Sequence, residues 1–142
     1  MPRSSAPELS LVPGGPVGRA IVRWTDADRA RRHAERRIGR PVHVAVPLLV
    51  DRRLGVPVRL LVALSDDTVY LLELRGSRNV GGVTAALPRT ELVAHFYRRL
   101  GRLRAELSWP DRQAFIAGRL TPGAAADELI GLVTADELEQ QR

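Results

Sequence analysis

The chain has 142 residues, a formal net charge of +6 and no cysteine. That length suits one domain burying roughly 70% of its unfolded surface, and the missing thiols exclude disulfides, thiolate metal sites and a cysteine nucleophile. All 22 Lys/Arg-type side chains are arginine, which also excludes a Walker A phosphate loop, a Schiff base and pyridoxal-phosphate chemistry, since each needs lysine.

A chain selected for polyanions would use lysine as well as arginine, so the complete absence of lysine reads first as codon preference. Position says more than total. Residues 1–40 carry nine arginines against Glu8, Asp26, Asp28 and Glu35, whereas residues 41–142 carry 13 arginines against 12 acids. The segment after residue 40 is therefore near neutral, and any electrostatic function is expected in the N-terminal segment.

Residues 1–20 contain Pro2, Pro7, Pro13, Gly14, Gly15, Pro16 and Gly18 and read as a flexible tail. Met1 to Pro7 lacks the apolar core of a signal peptide. The longest apolar run, Val44 to Val50, has 7 residues, far short of the ~20 that span a bilayer. The expectation is a cytoplasmic protein without a transmembrane segment, at most peripheral to a membrane. Residues 21–40 then form a basic amphipathic helix, with Thr25 as N-cap, Asp26 and Asp28 in the first turn, and a stop at Gly39-Arg40-Pro41. Ala27, Ala30, Ala34 and Ile38 fall on one stripe and Arg29, Arg32 and Arg36 on the opposite one. Arg31 and Glu35 are spaced for a helical ion pair. An alanine stripe predicts weak docking, with Trp24 as the one aromatic anchor or interfacial residue.

From Val42 to Gly118 the pattern is seven short strands between turn signals. Val42, Val44 and Val46 alternate with His43, Ala45 and Pro47, and the proline predicts an edge or bulged strand. Val56–Leu64 and Val69–Arg75 flank the hairpin turn Ser65-Asp66-Asp67-Thr68. A connection over 76–82 leads into Val83–Leu87. Glu91–Arg99 fits a strand or a helix. Arg102–Trp109 alternates cleanly, with Leu103, Ala105, Leu107 and Trp109 on one side, and Pro110-Asp111-Arg112 turns it into Gln113–Gly118. Thr121 and Pro122 then start a helix whose face is Ala125, Ala126, Leu129, Ile130, Leu132 and Val133. Asp136 and Glu137 interrupt that face beyond Thr134, which predicts fraying or a second short helix.

The central hairpin LVALSDDTVYLLEL, the late hairpin RLRAELSWPDRQAFIAG and the closing helix together resemble small actinobacterial pleckstrin-homology (PH)-like proteins. The resemblance covers about Val42 to Val133 and rests on layout. It implies a mainly β (α+β) fold for residues 41–142: a half-barrel of about seven antiparallel strands, in sheets of four and three, with a C-terminal capping helix. It also implies that a ligand is held by the loops after strands one, three and six. Here those loops carry Arg52, Arg53, Arg75, Arg78 and Arg112, whose forked donors suit phosphate or carboxylate. Asp51 and Asp111 stand beside them as competitors. The lysine-x-arginine pattern of lipid-binding members is missing from the first hairpin.

No catalytic constellation is legible. His33, His43 and His95 lack metal-ligand spacing, and neither G-x-S-x-G nor G-x-G-x-x-G occurs. The pair Asp66-Asp67 belongs to a turn. His95, among Val93, Phe96 and Tyr97, reads as a half-buried packing residue. The sequence therefore points to a non-catalytic binding or scaffolding module without cofactor or metal, for a protein partner or an anionic headgroup. The alternative is an arginine-rich nucleic-acid-associated protein acting through residues 19–40, with Arg29, Arg32 and Arg36 as contacts. The same arginines also fit a plain solvated helix face. Steep salt dependence would mark a polyanion ligand.

Overall fold

The computed structural model describes residues 28–51, 58–75 and 79–141. Their strands are β1 (Val44–Val50), β2 (Val58–Leu64), β3 (Thr68–Arg75), β4 (Asn79–Pro88), β5 (Val93–Arg99), β6 (Arg102–Trp109) and β7 (Ala114–Leu120). They form one antiparallel sheet in the order β4-β3-β2-β1-β7-β6-β5, with β4 and β5 as unjoined edges. Helix α1 (residues 28–38) precedes the sheet and α2 (Ala124–Gln140) follows it. The fold is thus mixed α/β, with an unclosed sheet flanked by two helices, and it has the outline of a half-barrel.

The two halves of the sheet meet at one short seam. β1 pairs with β2 along its whole length but with β7 only at Leu48↔Leu120, Leu49↔Arg119 and Val50↔Gly118. Two bonds bracket that ladder: Asp51 N–H donates to the Ala117 carbonyl at 2.9 Å, and Thr121 N–H donates to the Pro47 carbonyl at 3.0 Å. A Cβ at Gly118 would stand 2.9 Å from the Leu49 carbonyl carbon and 3.0 Å from the Val50 Cα, and closer still to the Leu49 oxygen. Only glycine permits so close a backbone approach.

The seam overturns two sequence expectations. β1 is the central strand, not an edge. Pro47 is tolerated because its main chain faces β7 at the end of the ladder, where the missing N–H forfeits one terminal bond. Thr121 does not cap α2. It finishes the β1–β7 ladder instead, and the helix starts at Ala124 with Gly123 in the capping position and no side-chain cap.

One core fills the space between the sheet and α2. Val44, Val46, Leu48, Val62, Leu64, Leu103, Ala105, Leu107, Trp109 and Leu120 meet Ala126, Leu129 and Val133, with Ile116 and Ile130 at its margin. The Trp109 indole N–H donates to the Pro88 carbonyl at 2.8 Å, so its polar atom is satisfied. α2 continues without a break to Gln140. The acids that seemed to spoil its face have partners on the sheet. Arg89 donates from Nε to Asp136 Oδ2 at 2.7 Å, and Glu137 Oε1 accepts from the Ala94 N–H at 3.4 Å. The ambiguous 91–99 segment is a 3-10 turn (Arg89–Glu91) followed by β5.

A second, smaller core lies on the other face. Ala34 of α1 is fully buried against Val42, Ala45, Leu61, Ala63, Tyr70, Leu72 and Val80, with Ala30 and Ile38 beside it. The alanine stripe therefore docks closely. Small side chains bring the helix near enough for Glu35 Oε2 to accept from the Val42 N–H at 2.8 Å. Gly39 ends α1 at φ 79°, its N–H donating to the Glu35 carbonyl at 2.7 Å. Arg40 then ties this end to Asp67 and to the Tyr70 hydroxyl. The expected N-cap Thr25 and the anchor Trp24 lie outside the described residues.

Gly118→Ala is expected to lower stability by roughly 3 kcal/mol, the upper end of overpacking costs, as measured by urea unfolding. Ala34→Leu is expected to cost about 1–3 kcal/mol for the same reason. A neutral result at position 34 would mean that α1 stands off the sheet.

Candidate anion-binding face

The register across the seam builds a row of side chains on the face opposite α2. Leu49 lies between Arg59 on β2 and Arg119 on β7. Arg119 lies opposite Arg104 on β6, and Arg104 opposite Tyr97 on β5. At ~4.8 Å per strand this row is about 19 Å long. α1 covers the part of the β1–β4 face around Ala45, Leu61, Ala63 and Leu72, through the second core, whereas Arg59 is exposed. The β5–β7 part carries Arg99, Arg102, His95 and Phe115 in the open.

The pairing has a physical cost. Arg104 faces Arg119 directly, and Arg99 faces Arg102, whereas like charges directly opposite on antiparallel strands are destabilising. Arg104 is relieved by Asp51, which it grips with both terminal nitrogens, Nη1 at 3.1 Å from Oδ1. The hydrogen bonds it donates to Asp51 and then to Tyr97 hold that guanidinium even further above its already high ordinary range. Among the described residues no carboxylate pairs with Arg59, Arg99, Arg102 or Arg119. The near-neutral composition of the domain conceals this segregation. α2, on the far side of the sheet, carries Asp127, Glu128, Asp136, Glu137 and Glu139 and no cation.

Two cavities open along the arginines. One, of about 450 Å³, is lined by Pro47, Leu49 and Leu74 together with Arg59, Arg102 and Arg119. The other, of about 530 Å³, lies where α1 meets β3 and β4, between Arg29, His33 and Arg37 on the helix and Arg75, Asn79 and Gly81 on the strands.

The arginines singled out by sequence fall into three groups. Arg52, Arg53 and Arg78 lie outside the described residues. Arg75 joins the helix residues in the second cavity and donates to Glu73 at 2.8 Å. Arg112 donates to both oxygens of Glu91, at 3.1 and 3.3 Å, and lines neither cavity. On α1, Arg29, Arg32 and Arg36 are all exposed. Arg32 pairs with Asp28 at 2.8 Å, and Arg31 bridges Asp28 and Glu35. Asp66 and Asp67 serve the turn and its neighbours His43 and Arg40. His95 is exposed, not packed inside. Its ring stacks on Tyr97 at 5.0 Å and its Nδ1 lies 3.6 Å from Glu106.

Sequence reasoning missed Arg59, Arg102 and Arg119. The signal available was the polar half of each alternating strand, but which strands are neighbours was not legible. No helix of the described residues is long and apolar enough to cross a membrane, and no group of three or more metal-ligating side chains occurs among them. No protein-family model matches the chain, and no curated protein matches it either.

Arg119→Gln removes one member of a like-charge pair. It is expected to leave the melting temperature unchanged or to raise it, by up to ~1 kcal/mol of stability. A clear loss of stability on thermal melting would show that Arg119 is a structural partner.

Proposed function

We propose that this chain is a non-catalytic binding module of PH-like architecture, and that its outer face holds an anionic ligand. The observation that supports this is the arginine trio around the first cavity. Arg59, Arg102 and Arg119 surround an aliphatic floor, with no carboxylate or histidine among the lining residues. Such a site offers charge, forked donors and apolar contact, which suits recognition of phosphate, sulfate or carboxylate groups. It offers no acid–base pair for chemistry. The apposition of Arg99 and Arg102, which no carboxylate among the described residues relieves, is a local conflict of the kind that functional sites carry. A protein partner using this face would present acidic side chains to it.

The test is calorimetric titration of the full chain with inositol hexakisphosphate and with heparin, at two salt concentrations. Binding is expected to weaken steeply with salt. The double variant Arg59→Gln/Arg119→Gln is expected to bind at least about tenfold more weakly, since each charge-assisted bond contributes ~1.5–3 kcal/mol. Its melting temperature should be preserved, because Arg59 is exposed and neither arginine has a carboxylate partner among the described residues. Equal binding by parent and double variant would sink the proposal.

A further inference from the structure

We infer that the anion held on this face is the backbone of a single-stranded nucleic acid, lying across β2, β1, β7, β6 and β5, with bases stacked on the half-buried Tyr97 and the exposed His95 and Phe115 rings of the β5–β7 half. This rests on the anion-binding reading above and names its ligand class.

Three observations separate a nucleic acid from other anions. The first is shape. Arg59, Arg119 and Arg104 lie in a line spanning about 14 Å from β2 to β6, reaching past the cavity that Arg59, Arg102 and Arg119 line, so they fit a string of phosphates better than a single headgroup. The second is the rings. Tyr97 ends that line and is stacked on His95 at 5.0 Å, with an interplanar angle of 29°. Phe115 stands on the same face two strands away, 68% exposed. Aromatic rings beside a cationic track are what sequence-tolerant single-strand binding needs, because every base has a π-face. The third is ring orientation. Tyr97 donates its hydroxyl to Glu106 Oε2 at 3.1 Å, and Glu106 also lies 3.6 Å from His95 Nδ1. Glu106 thereby anchors the Tyr97 ring on the sheet, and His95 stacks against that ring. Asp51, the other acid on this face, is taken up by Arg104.

A bilayer is the main competing surface. The β5–β6 hairpin tip does expose Leu100, at 92%, between Arg99 and Arg102. A single leucine is little apolar area to bury in headgroups, whereas interfacial binding scales with that area. The rings, moreover, sit along the strands and not at the tip.

The experiment is fluorescence anisotropy of the full chain with labelled 12-nucleotide oligo-dT and oligo-U, the matching duplex, heparin, and vesicles containing phosphatidylserine. The single strands are expected to bind more tightly than the duplex, with log K falling by roughly 0.7 per phosphate contact against log salt. Tyr97→Ala is expected to weaken oligonucleotide binding about 5- to 150-fold, the range for one lost base stack, and to leave heparin binding unchanged. Tyr97→Phe keeps the ring and loses only the hydroxyl bond to Glu106, so it should bind clearly more tightly than the alanine variant though more weakly than the parent, which controls for misfolding in the alanine variant. Heparin binding without oligonucleotide binding overturns this inference and leaves the anion-binding reading standing. So does a duplex that binds as tightly as the single strand, or an equal loss toward both probes in Tyr97→Ala. Vesicle binding without oligonucleotide binding assigns the face to a membrane instead. Failure of every anionic probe overturns both readings.

Discussion

The structure depends on a three-pair seam. β1 belongs to one half of the sheet and β7 to the other, and they meet only from Leu48 to Val50. Gly118 is what lets the two backbones come together, because any Cβ there would collide with Leu49 and Val50 main-chain atoms. The proposed anion-binding face is downstream of that contact. It sets Arg59 and Arg119 on either side of Leu49, and it turns two ordinary hairpin surfaces into one face.

The same seam explains where the polar groups went. Thr121 spends its N–H on Pro47 and so gives up the capping role that its position before Pro122 suggests. Pro47 in turn loses only a terminal bond. These are small local losses, each about the size of one hydrogen bond, and they are outweighed by the shared core beneath. That core joins both halves to α2 through Leu48, Leu107, Trp109 and Leu129.

Charge is arranged by layer. α2 covers the inner face and carries the acids, with Asp136 neutralised by Arg89. The outer face keeps two arginine pairs directly opposite each other across the strands, Arg104 with Arg119 and Arg99 with Arg102. A sheet selected only for stability would alternate signs there. α1 extends the cationic surface rather than making it alone, since Arg29 and Arg37 meet Arg75 across a cleft.

The sequence by itself determined the elements and their inner faces. Period-two alternation in Leu103, Ala105, Leu107 and Trp109 gave β6 its buried side, and the Ser65–Thr68 turn fixed the β2–β3 hairpin, because both signals are local and covalent neighbours carry them. It was silent on the seam. Pairing of β1 with β7 joins residues about 70 apart in the chain, and no spacing rule links Leu49 to Arg119. It also misjudged Pro47, Thr121, Asp136 and His95, whose environments are supplied by partners distant in sequence. The arginines offered most readily by sequence were those in loops and on the first helix, where exposure can be read directly. Arg59, Arg102 and Arg119 were unremarkable solvent positions on separate strands until the sheet was assembled. Only tertiary structure could place them together, because a strand's outward residues acquire neighbours through register and strand order.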